Sequence, residues 1–165
     1  MELTIVYDNE VYSEGLEADW GFSCLIESHG RYLLFDTGTK ADILLRNMQS
    51  LSIEPDTIDD IFISHDHYDH TGGLTELLNR KQDMRVFAPS TMSGIAPAGD
   101  VVYVDKPMKL ADGLYTTGLL KDIEHSLAIE SGDGLVVVAG CSHPGVRSIL
   151  DASRKFGNPW ALIGG

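Results

Sequence analysis

An α/β layered sandwich, with sheets covered by helices, is the fold class this 165-residue sequence predicts. Two patterns carry that expectation. Two pairs of short apolar runs are joined across glycine-containing turns and read as hairpins: 22–27 with 31–36 across Ser28-His29-Gly30, and 127–130 with 135–139 across Ser131-Gly132-Asp133-Gly134. Elsewhere, apolar runs alternate with segments of helical spacing. The length fits one domain that can bury a full core.

Taken in order, residues 1–8 read as a first strand. No basic region precedes their apolar residues, so a secretory leader is not expected and a cytoplasmic location is. After the first hairpin, 39–51 carries apolar residues at 43, 44, 45, 48 and 51, a helical spacing, and Pro55 follows where a helix cannot continue. Residues 58–64 form a strand, 74–80 a helix just past Gly72-Gly73, and 85–88 a short strand. The stretch 90–100 is rich in Ser, Gly, Ala and Pro and reads as a loop. Strands follow at 101–104 and 114–117, then the second hairpin. A helix over 145–156, apolar at 146, 149, 150 and 156, is closed by Gly157. A last strand at 160–163 leads into Gly164-Gly165.

With 43% hydrophobic and 22% charged residues, the composition is that of a soluble globular protein, and no apolar run approaches membrane-spanning length. The formal net charge of −13 repels polyanions. No cluster of Lys and Arg offsets it, so nucleic acid is not expected as a partner. Two cysteines, Cys24 and Cys141, do not make a disulfide framework.

The chemistry is concentrated in His65-Asp66-His67-Tyr68-Asp69-His70, directly after the apolar run Ile61-Phe62-Ile63. Imidazole and carboxylate are favoured ligands of divalent transition metals. Alternate residues of an extended segment project to one side, so His65, His67 and Asp69 can converge, and His70 arrives from the next turn of chain. A second cluster echoes the first: Leu135-Val136-Val137-Val138-Ala139 is followed by Gly140-Cys141-Ser142-His143-Pro144-Gly145. Both place ligand-type residues at the carboxyl end of a buried strand, where sites in α/β folds gather. His143 is therefore a metal-ligand candidate. Cys141 reads equally as a ligand or as a small buried hydrophobe. Asp36, at the end of 32–35, is either a turn residue or an acceptor that fixes a ligand imidazole. His125 is either a pocket residue or a surface histidine, and His29 reads as a turn residue.

Leu34-Phe35-Asp36-Thr37-Gly38, the 65–70 run with its Thr71-Gly72-Gly73 extension, and 140–145 together resemble the metallo-β-lactamase-fold superfamily of metal-dependent hydrolases. The Gly-Cys-Ser-His element is similar to a branch that includes archaeal dihydropterin-ribofuranosylaminobenzene phosphate synthases. The resemblance implies an αββα sandwich with a dinuclear centre at the edge of two facing sheets, in a single domain over 1–165. It implies that His65, His67 and His143 hold one metal, and Asp69 and His70 the other. Cys141 stands where many members carry a bridging aspartate. Members usually supply a further histidine after the strand that here ends at Gly164-Gly165, so the resemblance implies that a last C-terminal segment is missing.

The expected cofactor is two zinc ions, with iron or manganese fitting the same donors. The expected function is hydrolysis of an ester, lactone, amide or phosphoester bond in a small molecule by metal-activated water, with Asp69 orienting that water and handling its proton. Two alternatives stand beside it: an iron-dependent redox protein of the same fold, and a non-catalytic metal-stabilised interaction domain. Homo-oligomerisation is left open.

Overall fold

Strand β3 (Arg31–Phe35) sorts its side chains by parity: Leu33 and Phe35 enter one buried cluster and Leu34 another. The same division holds for Phe62 against Ile61 and Ile63, and for Phe87 against Val86 and Ala88. One sheet therefore has two buried faces. The computed structural model describes residues 1–164.

The first sheet has the order β1 (Glu2–Tyr7), β2 (Ser23–Ser28), β3, β4 (Asp60–Phe62), β5 (Arg85–Pro89), β6 (Asp100–Val104). β1, β2 and β3 are antiparallel neighbours, and the pairs from β3 to β6 are parallel. The β2–β3 turn is His29-Gly30, both at positive φ (52° and 73°), the two-residue turn that suits a hairpin's twist. The second sheet runs β11 (Pro159–Gly164), β10 (Gly134–Ala139), β9 (Leu127–Ser131), β8 (Leu114–Thr116), β7 (Met108–Ala111). Only β10 and β11 are parallel in it.

Between the sheets lies a cluster that includes Ile26, Phe35, Phe62, Phe87, Leu127 and Val138, with the rings of Phe35 and Phe62 stacked at 5.2 Å. Helices α1 (Ala41–Ser50) and α3 (Leu74–Arg80) cover the outer face of the first sheet through Ile43, Leu44, Met48, Leu77 and Leu78. Helix α4 (Val146–Ser153) covers the second through Ile149 and Leu150, against Leu135, Val137 and Ala139. The layering is αββα, as the motifs implied.

Some elements are not announced by the sequence. A single turn, α2 (Tyr68–Thr71), lies inside the histidine run, where no apolar period marks a helix. Strand β7 has only Leu110 buried, too little alternation to read. The helix expected over 145–156 stops at Ser153, and a turn carries the chain to Gly157. Among the described residues no helix is long and apolar enough to cross a membrane.

Candidate metal centre

Parallel pairing of β3 with β4 brings their carboxyl ends side by side, and the facing sheet brings the end of β10 opposite them. Asp36 follows β3. Ser64, His65 and His67 follow β4, and α2 then carries Asp69 and His70. Cys141 and His143 follow β10. Ser142, in the left-handed region at φ 58°, turns the chain between these last two.

Two groups of donors converge. One nitrogen each from His65, His67 and His143 lie within 4.8 Å of one another, and so do donor atoms of His65, His70 and Cys141. The ring of His65 is 4.5 Å from that of His67, 4.3 Å from His70 and 4.8 Å from His143, centroid to centroid. Nε2 of His70 lies 3.1 Å from Sγ of Cys141, across 71 residues of sequence. Cys141 thus joins the His70 group. Asp69 lies outside both groups, with Oδ2 3.5 Å from Nε2 of His70.

A buried hydrogen-bond chain sets the tautomers. Asp36 Oδ1 accepts from the Ser64 N–H (2.7 Å), and Oδ2 accepts from Ser64 Oγ (2.7 Å) and His70 Nδ1 (2.6 Å). With its only proton on Asp36, Ser64 Oγ accepts from His65 Nδ1 at 2.9 Å. In their neutral forms His65 and His70 therefore both keep Nε2 bare and aimed at the centre. Asp36 is a buried acceptor that fixes the His70 imidazole, and its positive φ of 54° also makes it a turn residue.

The donors fit a divalent cation. Burial, then the neighbouring His70, His67 and His143, push the His65 pKa down to about 2, so its Nε2 holds a lone pair at neutral pH. That nitrogen stands 3.0 Å from Nδ1 of His67. Two donors on one tetrahedral ion with bonds of about 2.0–2.1 Å stand roughly 3.3 Å apart. Burial opposes charge on His70, but the hydrogen bond and charge of Asp36, with Asp69 and Glu124 behind, raise its pKa. Burial, with Asp69 and Glu124, pushes the Cys141 thiol up to about 11. A bound cation reverses that, because a coordinating thiol is deprotonated.

Two histidines fall elsewhere. His125 is fully buried between the sheets, its ring 4.1 Å from that of Phe62. Its Nε2 donates to the Ile63 carbonyl at 2.7 Å and Nδ1 accepts from Thr116 Oγ1 at 2.9 Å. Both nitrogens are committed, so His125 is a core residue, not one that faces the pocket or the surface. His29 is a turn residue that contacts the Glu130 carbonyl.

Glu124 was missed. It is fully buried and accepts from backbone N–H groups of Gly140, Ser142 and His143. No spacing announces such a residue, and its one sequence cue is adjacency to His125.

A cavity of about 400 Å³ opens on the centre, with Asp69, His70 and Cys141 among its lining and Ile5, Trp20 and Phe22 beside them. The loop carrying Trp20 packs hard here, since a Cβ on Gly21 would meet the Asp69 carbonyl oxygen at 2.3 Å. None of the described residues lining the cavity is a lysine or arginine.

The family model of the metallo-beta-lactamase superfamily matches residues 21–145, a span that contains every donor above. The chain belongs to the metallo-beta-lactamase superfamily. It is 29% identical to the 7,8-dihydropterin-6-methyl-4-(beta-D-ribofuranosyl)-aminobenzene-5'-phosphate synthase of Methanocaldococcus jannaschii, over 98% of this chain and 75% of that protein. Among solved structures, it superposes on a metal-dependent hydrolase of the beta-lactamase superfamily with a TM-score of 0.77 at 26% identity, covering 99% of this chain and 75% of the other. An N-acyl homoserine lactone lactonase shares the fold at a TM-score of 0.60 and 16% identity, over 87% of this chain and 78% of the other. Metallo-beta-lactamase folds imply divalent-metal binding, and the histidine–cysteine cluster is a potential site for it.

Proposed function

We propose that this chain is a metal-dependent hydrolase of a small molecule, cleaving an ester, lactone, amide or phosphoester bond at the carboxyl ends of β4 and β10. The observation that carries the reading is the meeting of His65, His67 and His143 from two distant segments, with His70 and Cys141 grouped on the same His65. In this reading His65, His67 and His143 hold one cation. His70, Asp69 and Cys141 hold a second, with zinc as the favoured metal and iron or manganese compatible with the donors. Bound metal supplies Lewis acidity, polarising an electrophilic oxygen and lowering the pKa of a nearby water.

The chain's own groups do the rest. Asp69 Oδ2 faces His70, which leaves Oδ1 to orient the attacking water and accept its proton. Asp36 and Ser64 hold His70 and His65 against rotation, so the donors need not reorganise when substrate arrives. Ile5, Trp20 and Phe22 give the substrate an apolar wall. Asp8 and Asp69 in that lining disfavour an anionic group there, which favours an uncharged acyl group at the cleaved bond.

A second reading rests on the 29% identity to the synthase: a synthetic reaction at the same site in place of hydrolysis. The deciding experiment is metal analysis of the purified protein with a screen over ester, lactone, amide and phosphoester panels, repeated on Asp69→Ala. We expect bound zinc and turnover that Asp69→Ala abolishes with circular dichroism unchanged. Full turnover by that variant sinks the role given to Asp69. Iron in place of zinc, with no hydrolysis, turns the reading to redox chemistry.

A further inference from the structure

Three backbone N–H groups of the loop bearing Cys141 and His143 end on one buried carboxylate. Oε1 of Glu124 accepts from Gly140 at 3.0 Å and Ser142 at 3.2 Å, and Oε2 accepts from His143 at 2.8 Å. The left-handed Ser142 turns successive amides toward one side, a concavity that suits an anion. A carboxylate from the chain's own interior fills it.

The next residue grips the other ligand-bearing segment. The backbone N–H of His125 donates to the Ser64 carbonyl at 3.0 Å, and its Nε2 donates to the Ile63 carbonyl at 2.7 Å. Two consecutive residues thus tie the loop after β10 to the end of β4, the two segments that must meet for His143 to reach His65 and His67. The fit is close: a Cβ on Gly140 would lie 2.3 Å from Ser64 Oγ. A tight turn delivers Glu124 into this gap. Lys121 and Asp122 have φ of 52° and 55°, and the Leu120 N–H donates to the Glu124 carbonyl at 2.9 Å.

We infer that Glu124 is a positioning residue. Its three amide contacts hold the 140–143 loop so that His143 faces His65 and His67, and they thereby set the metal affinity of that group. The inference rests on the metal-centre reading proposed above. Charge-assisted bonds to backbone amides are about twice as strong as neutral ones, and three on one carboxylate restrain the loop that carries them. A merely structural acid would lower stability when removed and leave the zinc affinity of the folded chain as it was.

The test is Glu124→Gln, which keeps the shape but sets an NH₂ group against amide donors. Zn²⁺ affinity is measured by competition with a chromophoric chelator on folded wild type, Glu124→Gln, His143→Ala and the double variant. We expect Glu124→Gln to bind Zn²⁺ at least 10-fold more weakly than wild type. In the His143→Ala background the same change should cost under 3-fold, because Glu124 acts through His143. Wild-type affinity in Glu124→Gln, or fully additive losses, overturns the inference. A wild-type chain that binds no Zn²⁺ overturns the metal-centre reading instead. Should Glu124→Gln fail to fold, hydrogen exchange on metal-free wild type decides: the amides of 140, 142 and 143 should be protected at least 100-fold, and exchange at open-loop rates overturns the inference.

Discussion

Asp36 Oδ2 and His70 Nδ1 stand 2.6 Å apart, joining the residue that follows β3 to helix α2, 34 positions away. The contact leaves His70 Nε2 free to face Cys141, and the same carboxylate reaches His65 through Ser64. Asp36→Asn should therefore weaken Zn²⁺ binding by about 10–100-fold, the usual loss when an outer hydrogen-bond partner of a ligand is removed. Calorimetric titration of wild type and variant checks it. Equal affinities would show that Asp36 does not tune the imidazoles.

Gly140 and Gly132 make a matched pair of glycines. A Cβ at 140 would press on Ser64 Oγ and lie 3.2 Å from His65 Nδ1, while a Cβ at 132 meets nothing within 4 Å. Gly140→Ala should displace the Ser64 hydroxyl, lower stability by about 1–3 kcal/mol and weaken Zn²⁺ binding. Gly132→Ala should stay within about 0.5 kcal/mol of wild type. Urea melts of both variants provide the comparison, and equal effects would refute the close packing at 140.

His125 links pH to stability. Burial, against the hydrogen bond to Ile63, drives its pKa down to about 3, whereas an unfolded histidine titrates near 6.5. The unfolded chain then binds the extra proton between those values. The contribution of neutral His125 is complete above about pH 6.5 and drains away as pH falls toward 3. Well inside that window the slope is about 1.4 kcal/mol per pH unit. Replacing the ring by Phe removes this titration and takes the His125 partner from the buried Ile63 carbonyl and the Thr116 hydroxyl proton, a loss of about 1–3 kcal/mol. Denaturant unfolding from pH 7.5 to 4.5 should give a shallower pH slope for His125→Phe. Parallel slopes would contradict a buried neutral imidazole.

Removing bound metal should loosen the whole domain. A ligand at 100 times its dissociation constant adds about 2.7 kcal/mol to folding. Chelation should lower the melting temperature and added Zn²⁺ should restore it in proportion to concentration. A melting curve indifferent to both would argue against a cation held between β4 and β10.

Much of the fold could be read along the chain because layer membership repeats over neighbouring residues. Leu33, Leu34 and Phe35 assign themselves to alternate faces by a period of two, and Ile43, Leu44 and Met48 assign α1 by helical spacing. The donor-rich run 65–70 and the 140–145 loop were equally plain, since unusual residue types at strand ends need no partner to be noticed. α2 and β7 were not, because one is polar throughout and the other buries a single side chain.

Sequence alone determined which residues are chemically able to bind metal and which strands carry them. Tertiary structure decided their company: Cys141 beside His70, His125 sealed against Phe62, and Glu124 beneath His143. The reason is one of range. Periodicity is set by local backbone geometry, whereas a contact between residues 71 apart depends on strand order, on which sheets face each other, and on how buried polar groups find partners.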